Sequence, residues 1–436
     1  MDASSYFRGK KITVMGLGLL GRGVGDAHYL AECGAELIVT DLKSREELAA
    51  SVAKLQSFPN ITFVLGEHRL EDFRDRDLIL KAAGVPLDSP YIAEAERNHI
   101  PVRMSADLLV ELSKMPVVGI TGTRGKSTAT HMVEAILRAA GKKVLVGGNV
   151  RGVSNLSLLP EATPEHIAIL ELDSWQLQGF GAMRMSPHIS IFTTFFPDHL
   201  NYYKNDLDRY LADKACIFLN QSENDVLILG RQCAPIVIEK YGEQIRSKVL
   251  VVDEMKLPDT WTLKVPGVHN RNGAALALAA ARELGVPDDV SRTALADFPG
   301  VPGRLELVRE KDGIQIYNDT TSTTPEATIA ALEALPAERT VLIMGGTDKN
   351  LDLAELSARA GEAKKVVLLA GNGTDRIRAE FPNAPIFDDL EAAVSEACKE
   401  AEKGDIVLFS PGFTSFGMFK NEFDRGDRFD EIVKAL

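Results

Sequence analysis

The sequence predicts an α/β protein of three domains, and three observations carry that expectation. Short apolar runs alternate with helical patterns along the whole chain. Strand-like runs restart three times: at Lys11-Ile-Thr-Val-Met15, at Val117-Val-Gly-Ile120, and after the Pro/Gly-rich stretch over 298–304. The first two restarts lead into Gly-rich turns followed by helical periodicity, the strand–turn–helix unit that binds nucleotides in parallel α/β folds. The predicted domains are 1–112, Rossmann-like and nucleotide-binding, 113–297, a central P-loop ATPase-type domain, and 298–436, a second Rossmann-like domain.

In the first domain the run ending at Met15 opens into Gly16-Leu17-Gly18-Leu19-Leu20-Gly21, a G-x-G-x-x-G turn. A second strand, Leu37-Ile-Val-Thr-Asp41, ends in an acid about 20 residues further on, as a dinucleotide fingerprint requires. Two ligands fit: NAD, or a uridine nucleotide with Asp41 at the base or ribose and the turn at the diphosphate. The first domain alone leaves both open.

The central domain carries the strongest motif. Gly-Ile-Thr-Gly-Thr-Arg-Gly-Lys-Ser-Thr over 119–128 joins an apolar strand to a helical pattern over 129–140. Backbone N–H groups of such a turn, with the helix N-terminus, offer positive partial charge to a phosphate. Lys126 reaches β/γ-phosphates, and the Ser127 or Thr128 hydroxyl holds Mg²⁺. Ile120 stands where the usual P-loop has its first glycine, so the loop is a variant. Downstream, Ile167-Ala-Ile-Leu-Glu171-Leu-Asp173 ends a strand in carboxylates, at the end of the sheet where α/β proteins bind ligands. A further strand over 189–194 leads into Phe195-Phe-Pro-Asp198-His199. Lys214 lies in a helical pattern over 207–218, where a lysine is ordinarily solvated. Asn270 begins an Ala-rich helix running to Leu284, as a cap or a nucleobase contact. In the third domain, 340–344, 365–370 and 405–409 read as buried parallel strands ending in Gly or Pro turns.

Bulk properties narrow the classes. A net charge of −13 argues against nonspecific nucleic-acid binding. No run of about 18 apolar residues predicts a membrane span, and the first ten residues have no secretory apolar core. Cys33, Cys216, Cys233 and Cys398 show no metal spacing and read as reduced thiols of a cytoplasmic protein.

The order Thr121-Gly122-Thr123-Arg124-Gly125-Lys126-Ser127-Thr128, Glu171, Asp198-His199, Lys214 and His269-Asn270 resembles the Mur ligase superfamily, whose members join an amino acid to a carboxylate using ATP. Tyr317-Asn-Asp319, Gly345-Gly-Thr-Asp-Lys349 and the block from Ser410 through Arg-Gly-Asp-Arg-Phe429 resemble its glutamate-adding branch. The resemblance spans essentially the whole chain. It implies addition of D-glutamate to UDP-N-acetylmuramoyl-L-alanine through an acyl phosphate, in peptidoglycan precursor synthesis, by a monomer. Under it, residues 121–128 with Asn270, Arg304 and Asp319 contact ATP. Ser127, Glu171, His199 and Lys214 serve two Mg²⁺ ions, with Lys214 carbamylated by CO₂. Gly18, Leu19, Leu20, Asp41 and Asn149 hold the UDP-sugar peptide, and Lys349, Ser415 and Phe416 the incoming glutamate.

The chain departs from the family pattern at four positions. Thr321 replaces a lysine near the glutamate site, Gly273 an asparagine beside the adenine motif, and Gly303 a histidine before Arg304. Lys81-Ala-Ala-Gly84-Val-Pro replaces a Ser-Pro-Gly-Val turn. Alternatives are a related ligase using L-glutamate or another acceptor, a folylpolyglutamate synthase-like ligase, a P-loop switch or kinase, and an NAD-linked dehydrogenase.

Overall fold

Three sheets account for the strands of the computed structural model, which describes residues 3–19 and 21–436. The first contains β1 (Lys11–Met15), β2 (Glu36–Asp41), β3 (Ile61–Leu65), β4 (Leu78–Lys81) and β5 (Val102–Arg103), all parallel, in the order β3-β2-β1-β4-β5. The second contains β6 (Val117–Thr121), β7 (Lys143–Gly148), β8 (His166–Glu171), β9 (Ile189–Phe192), β10 (Val226–Gly230) and β11 (Lys248–Val252), parallel throughout, in the order β11-β10-β9-β6-β8-β7. Every residue of β6 and β9 is buried, as continuous apolar runs require when helices cover both faces.

The third sheet contains β12 (Glu306–Lys311), β13 (Ile314–Asn318), β14 (Thr340–Gly345), β15 (Lys365–Leu369), β16 (Ile386–Phe387) and β17 (Ile406–Phe409), in the order β12-β13-β17-β14-β15-β16. It is mixed: β12 runs antiparallel to β13, where a Rossmann-like domain alone implies parallel strands. Asp312 and Gly313 join them with φ of 53° and 80°, so a two-residue turn with left-handed conformation at both positions makes a hairpin.

The chain forms two compact units. One holds the first two sheets, through residue 258 and over 272–294; the other holds the third sheet with 259–271. Inside the first unit the two sheets are tied by buried polar contacts. Asp26 Oδ1 accepts from Ser154 Oγ at 2.7 Å and Leu156 N at 3.1 Å. Asn155 donates to Ser105 Oγ at 3.0 Å. Helix boundaries follow the sequence pattern within a few residues, with helices at Lys126–Ala139, Leu207–Ala215 and Val268–Glu283.

Candidate active site

The central site is built where β6, β8 and β9 end together. Ile120 is in register with Glu171, and Thr121 with Phe192. The turn after β6 is fixed by the segment after β9. Thr123 N donates to Thr194 O at 2.7 Å, Arg124 N to Thr194 Oγ1 at 3.0 Å, and Thr193 Oγ1 to Arg124 O at 2.5 Å. Gly122 has φ of 143°, and a Cβ on it would lie 2.0 Å from Thr193 Oγ1, so no larger residue fits without moving that strand. Gly125, at φ of 81°, precedes the helix Lys126–Ala139 and aims its N-terminus at the strand ends.

Two lysines meet one carbonyl of this turn. Lys126 Nζ donates to Gly122 O at 2.9 Å and Thr123 O at 3.2 Å. Lys214 Nζ donates to the same Gly122 O at 2.9 Å, with Thr121 Oγ1 at 3.4 Å. Lys214, on a helix whose pattern reads as a solvated face, is 1% exposed. Burial, reinforced by Lys126, holds its amine well below the usual lysine range. His199 sits beyond β9 in a left-handed conformation, φ 54°, its ring 4.6 Å from that of Trp175. Burial lowers its pKa; Lys126 and Lys214 act the same way, against Asp198. Asp198 also pairs with Arg124 at 2.9 Å. Glu171 ends β8 and is buried, as is Ser127 at the second position of the helix.

Asn149 lies between this site and the first sheet. Its N–H donates to Glu171 O at 2.6 Å, and its side-chain oxygen accepts from Arg22. Beyond Arg22 lies a cavity of about 240 Å³ whose lining includes Gly18, Leu19, Asp41, Lys81, Met104 and Gln176. It opens between β1 and β4, where strand order reverses direction, the position at which open α/β sheets bind ligands. Asp41 does something the fingerprint did not suggest. Its Oδ2 accepts from Leu17 N at 2.9 Å and Gly18 N at 3.0 Å, so it occupies donors expected to meet a diphosphate. Leu20 lies outside the described residues.

The remaining sequence candidates belong to the second compact unit. Asn270 does not cap its helix; it lies in the first turn, and its side chain donates to Pro266 O at 2.6 Å. Asp319, at the end of β13, accepts from Leu305 N at 2.9 Å, Ser410 Oγ at 2.7 Å and Ser322 Oγ. Burial pushes its pKa up to about 6. Arg304 precedes Leu305 and so adjoins this cluster. Lys349 follows β14, donating to Thr323 Oγ1 at 3.4 Å. Ser415 and Phe416 follow β17; Ser415 is buried and Phe416 is 63% exposed. The two loops are joined by Thr347 and Thr414, which exchange backbone bonds of 3.0 and 3.1 Å.

Several residues escaped the sequence reading. Lys81 is 3% exposed at the end of β4, where a lysine ordinarily reads as solvated. Trp175, its ring tilted against that of His199, stands one residue after a helix start and looks like core. Arg425 is 1% exposed and donates to Thr320 O at 2.6 Å and Phe413 O at 3.1 Å. The only signal for Arg425 was its position inside the Arg-Gly-Asp-Arg-Phe block.

Comparison with known proteins follows the same three-part division. Residues 10–104 match the Mur ligase MurD-like N-terminal domain, 120–261 the Mur ligase middle domain, and 303–413 the Mur ligase glutamate ligase domain. A UDP-N-acetylmuramoylalanine–D-glutamate ligase of Roseiflexus sp. (strain RS-1) is 38% identical, covering 98% of this chain and 99% of its own. One from Borreliella burgdorferi is 36% identical over 97% of each chain. Among solved structures, the UDP-N-acetylmuramate–alanine ligase MurC of Thermotoga maritima has the same fold, with a TM-score of 0.63 at 20% identity, covering 98% of this chain and 99% of that one. Family models along all three segments and full-length relatives above 30% identity lead to one conclusion: the chain belongs to the Mur ligase family.

Proposed function

We propose that the chain is an ATP-dependent ligase that adds D-glutamate to UDP-N-acetylmuramoyl-L-alanine, acting as a cytoplasmic monomer in peptidoglycan precursor synthesis. The observation that carries the reading is the convergence of Lys126 and Lys214 on Gly122 O at the strand ends. The names of full-length relatives supply the substrates.

The chemistry has two steps. A carboxylate is a poor acyl electrophile. Attack of its oxygen on the γ-phosphorus of ATP forms an acyl phosphate and releases ADP. The neutral amine of glutamate then attacks the acyl carbon, loses a proton, and expels inorganic phosphate as the amide forms. Lys126 exchanges its two backbone carbonyls for phosphate oxygens and orients the γ-phosphate for the first step. Residues 121–125 offer N–H groups to the same phosphates.

The donor chemistry suits a hard divalent ion. Glu171 and Ser127 supply oxygen, His199 supplies nitrogen, and no cluster of three or more His, Cys, Asp or Glu forms among the described residues. Mg²⁺ ordinarily takes one or two protein ligands and completes its shell with phosphate oxygens and water, so Glu171, Ser127 and His199 would suit it. Mg²⁺, when bound, neutralises charge on the phosphates. Burial holds the Lys214 amine well below the usual lysine range, and in its neutral form it would add CO₂: the Nζ–C bond forms, one C=O electron pair moves to oxygen, one proton leaves, and the resulting carbamate would offer an anionic oxygen to the ion. Asn270, Arg304 and Asp319 serve ATP in this reading. Gly18, Leu19, Leu20, Asp41 and Asn149 serve the UDP-sugar peptide, and Lys349, Ser415 and Phe416 the glutamate. The domain limits follow as 1–112, 113–297 and 298–436.

One observation favours a second reading in which L-glutamate is the acceptor amine. Thr321, at the lysine position of the family pattern, bonds its hydroxyl to Gly303 O at 3.0 Å and offers no cation. The acyl-phosphate step is tested with substrate labelled with ¹⁸O in the L-alanyl carboxylate. Transfer of one ¹⁸O to released phosphate is expected. Ligation without that transfer would rule the step out.

A further inference from the structure

The cavity between β1 and β4 is lined by a buried cation, Lys81. Lys81 ends β4, in register with Met15 at the end of β1, so its side chain stands beside the Gly-rich turn. Its Nζ donates to Val85 O at 2.8 Å, with Ala82 O at 3.3 Å and Ala83 O at 3.4 Å. Only the first is a good bond; the other two lie at the outer limit. Among the described residues it pairs with no carboxylate, although it is 3% exposed. A buried ammonium without a counter-charge is costly. Burial lowers its pKa to about 8, against weak pulls from Asp173, Asp213 and Asp107. An anion entering the cavity would supply the missing charge.

The neighbouring donors make that need specific. In a Gly-rich turn of this kind the backbone N–H groups ordinarily receive a diphosphate. Here Leu17 N and Gly18 N are held by Asp41, which also brings negative charge to the turn. Gly16 passes close to the 82–85 turn, with space for no Cβ against Ala82 at 2.7 Å. Lys81 and Arg22 are the two cations lining the cavity. Arg22 is engaged with Asn149.

We propose that Lys81 is a substrate-binding residue of this ligase: its ammonium leaves the Ala82 and Ala83 carbonyls and takes the diphosphate of the nucleoside-diphosphate sugar. Lys81 thereby replaces positive character that Asp41 withdraws from the Gly-rich turn. The inference rests on the reading of this cavity as the UDP-substrate site.

The test compares UDP with uridine on the full chain by NMR titration, for the wild type, Lys81→Met and Lys81→Arg. Lys81→Met should weaken UDP by about tenfold or more, a difference of about 1.4 kcal/mol, and leave uridine unchanged. Lys81→Arg should keep most of the UDP affinity. In turnover, KM for the UDP substrate rises while KM for ATP and kcat hold. Equal weakening of UDP and uridine would mean that Lys81 only shapes the turn, and would overturn the proposal, as would unchanged UDP binding. If Lys81→Met does not fold, Lys81→Gln, which keeps donors for the carbonyls without the charge, is read the same way. If the wild type binds uridine and UDP equally well, the diphosphate contact fails while the nucleoside site stands. If it binds neither, the reading of the cavity fails and the proposal with it.

Discussion

The two Gly-rich turns of the first compact unit follow parallel strands and precede helices, yet they are satisfied in opposite ways. After β1 the turn's N–H groups are met by an internal anion, Asp41. After β6 the turn's carbonyls are met by the amino groups of two lysines, Lys126 and Lys214. The same backbone motif therefore presents different charge to a phosphate. In the central turn Lys126 is in place, and in the proposed reading it exchanges its carbonyls for phosphate oxygens. In the first turn the anion blocks two donors, and positive charge has to come from the neighbouring strand end. A glycine pattern specifies backbone shape; the residues folded against it decide which phosphate it takes.

That contrast can be broken most severely at Lys126. Lys126→Ala removes the cation aimed at the phosphates, and kcat for glutamate-dependent phosphate release should fall about a thousandfold, measured in a coupled assay. The same change should leave UDP binding at the first turn intact. Gly122→Ala drives a Cβ into Thr193 and should cost about 3 kcal/mol, read as a lowered unfolding midpoint.

A pH series sharpens the comparison. Lys81 has a folded pKa of about 8, below its unfolded value of 10.5. Between those values the unfolded chain binds more protons, so stability rises with pH across that window and is flat with respect to this group below it. The full effect is about 3 kcal/mol. The stability of the wild type relative to Lys81→Met, followed by denaturant unfolding from pH 7 to 10.5, should rise over that range. A constant difference would show an ordinary, unshifted lysine. Smallest is Asp41→Asn, which keeps an acceptor for Leu17 and Gly18 but loses its charge. It should destabilise the chain by about 1 kcal/mol, visible as a small fall in Tm.

Much of this was legible in the sequence. Continuous apolar runs such as 117–120, bounded by turn residues, fit buried parallel strands, and the loop after this one carries the residue types of a phosphate site. A Rossmann-like third domain implies parallel strands throughout, whereas Asp312-Gly313, a two-residue hairpin signal, makes β12 antiparallel to β13. Lys214 shows a deeper limit. Helical periodicity puts a lysine on a wet face, and only tertiary packing under the β6 turn buries it; resemblance to a family found it, not spacing. Lys81 shows the same limit without that help. Its replacement of a Ser-Pro-Gly-Val turn was visible, but burial beside a cavity is a property of the fold. Asp41 lies at the strand end its spacing predicts, but sequence distance does not show where a carboxylate turns: its Oδ2 accepts from Leu17 N and Gly18 N.

D-glutamate ligation is decided by incubating the protein with UDP-N-acetylmuramoyl-L-alanine, ATP, Mg²⁺ and one glutamate enantiomer at a time, with product mass and released phosphate measured together. D-glutamate alone should yield a product heavier by one glutamate residue, with one phosphate released per product. Product from L-glutamate with none from D-glutamate, or phosphate release without a glutamyl product, would contradict it.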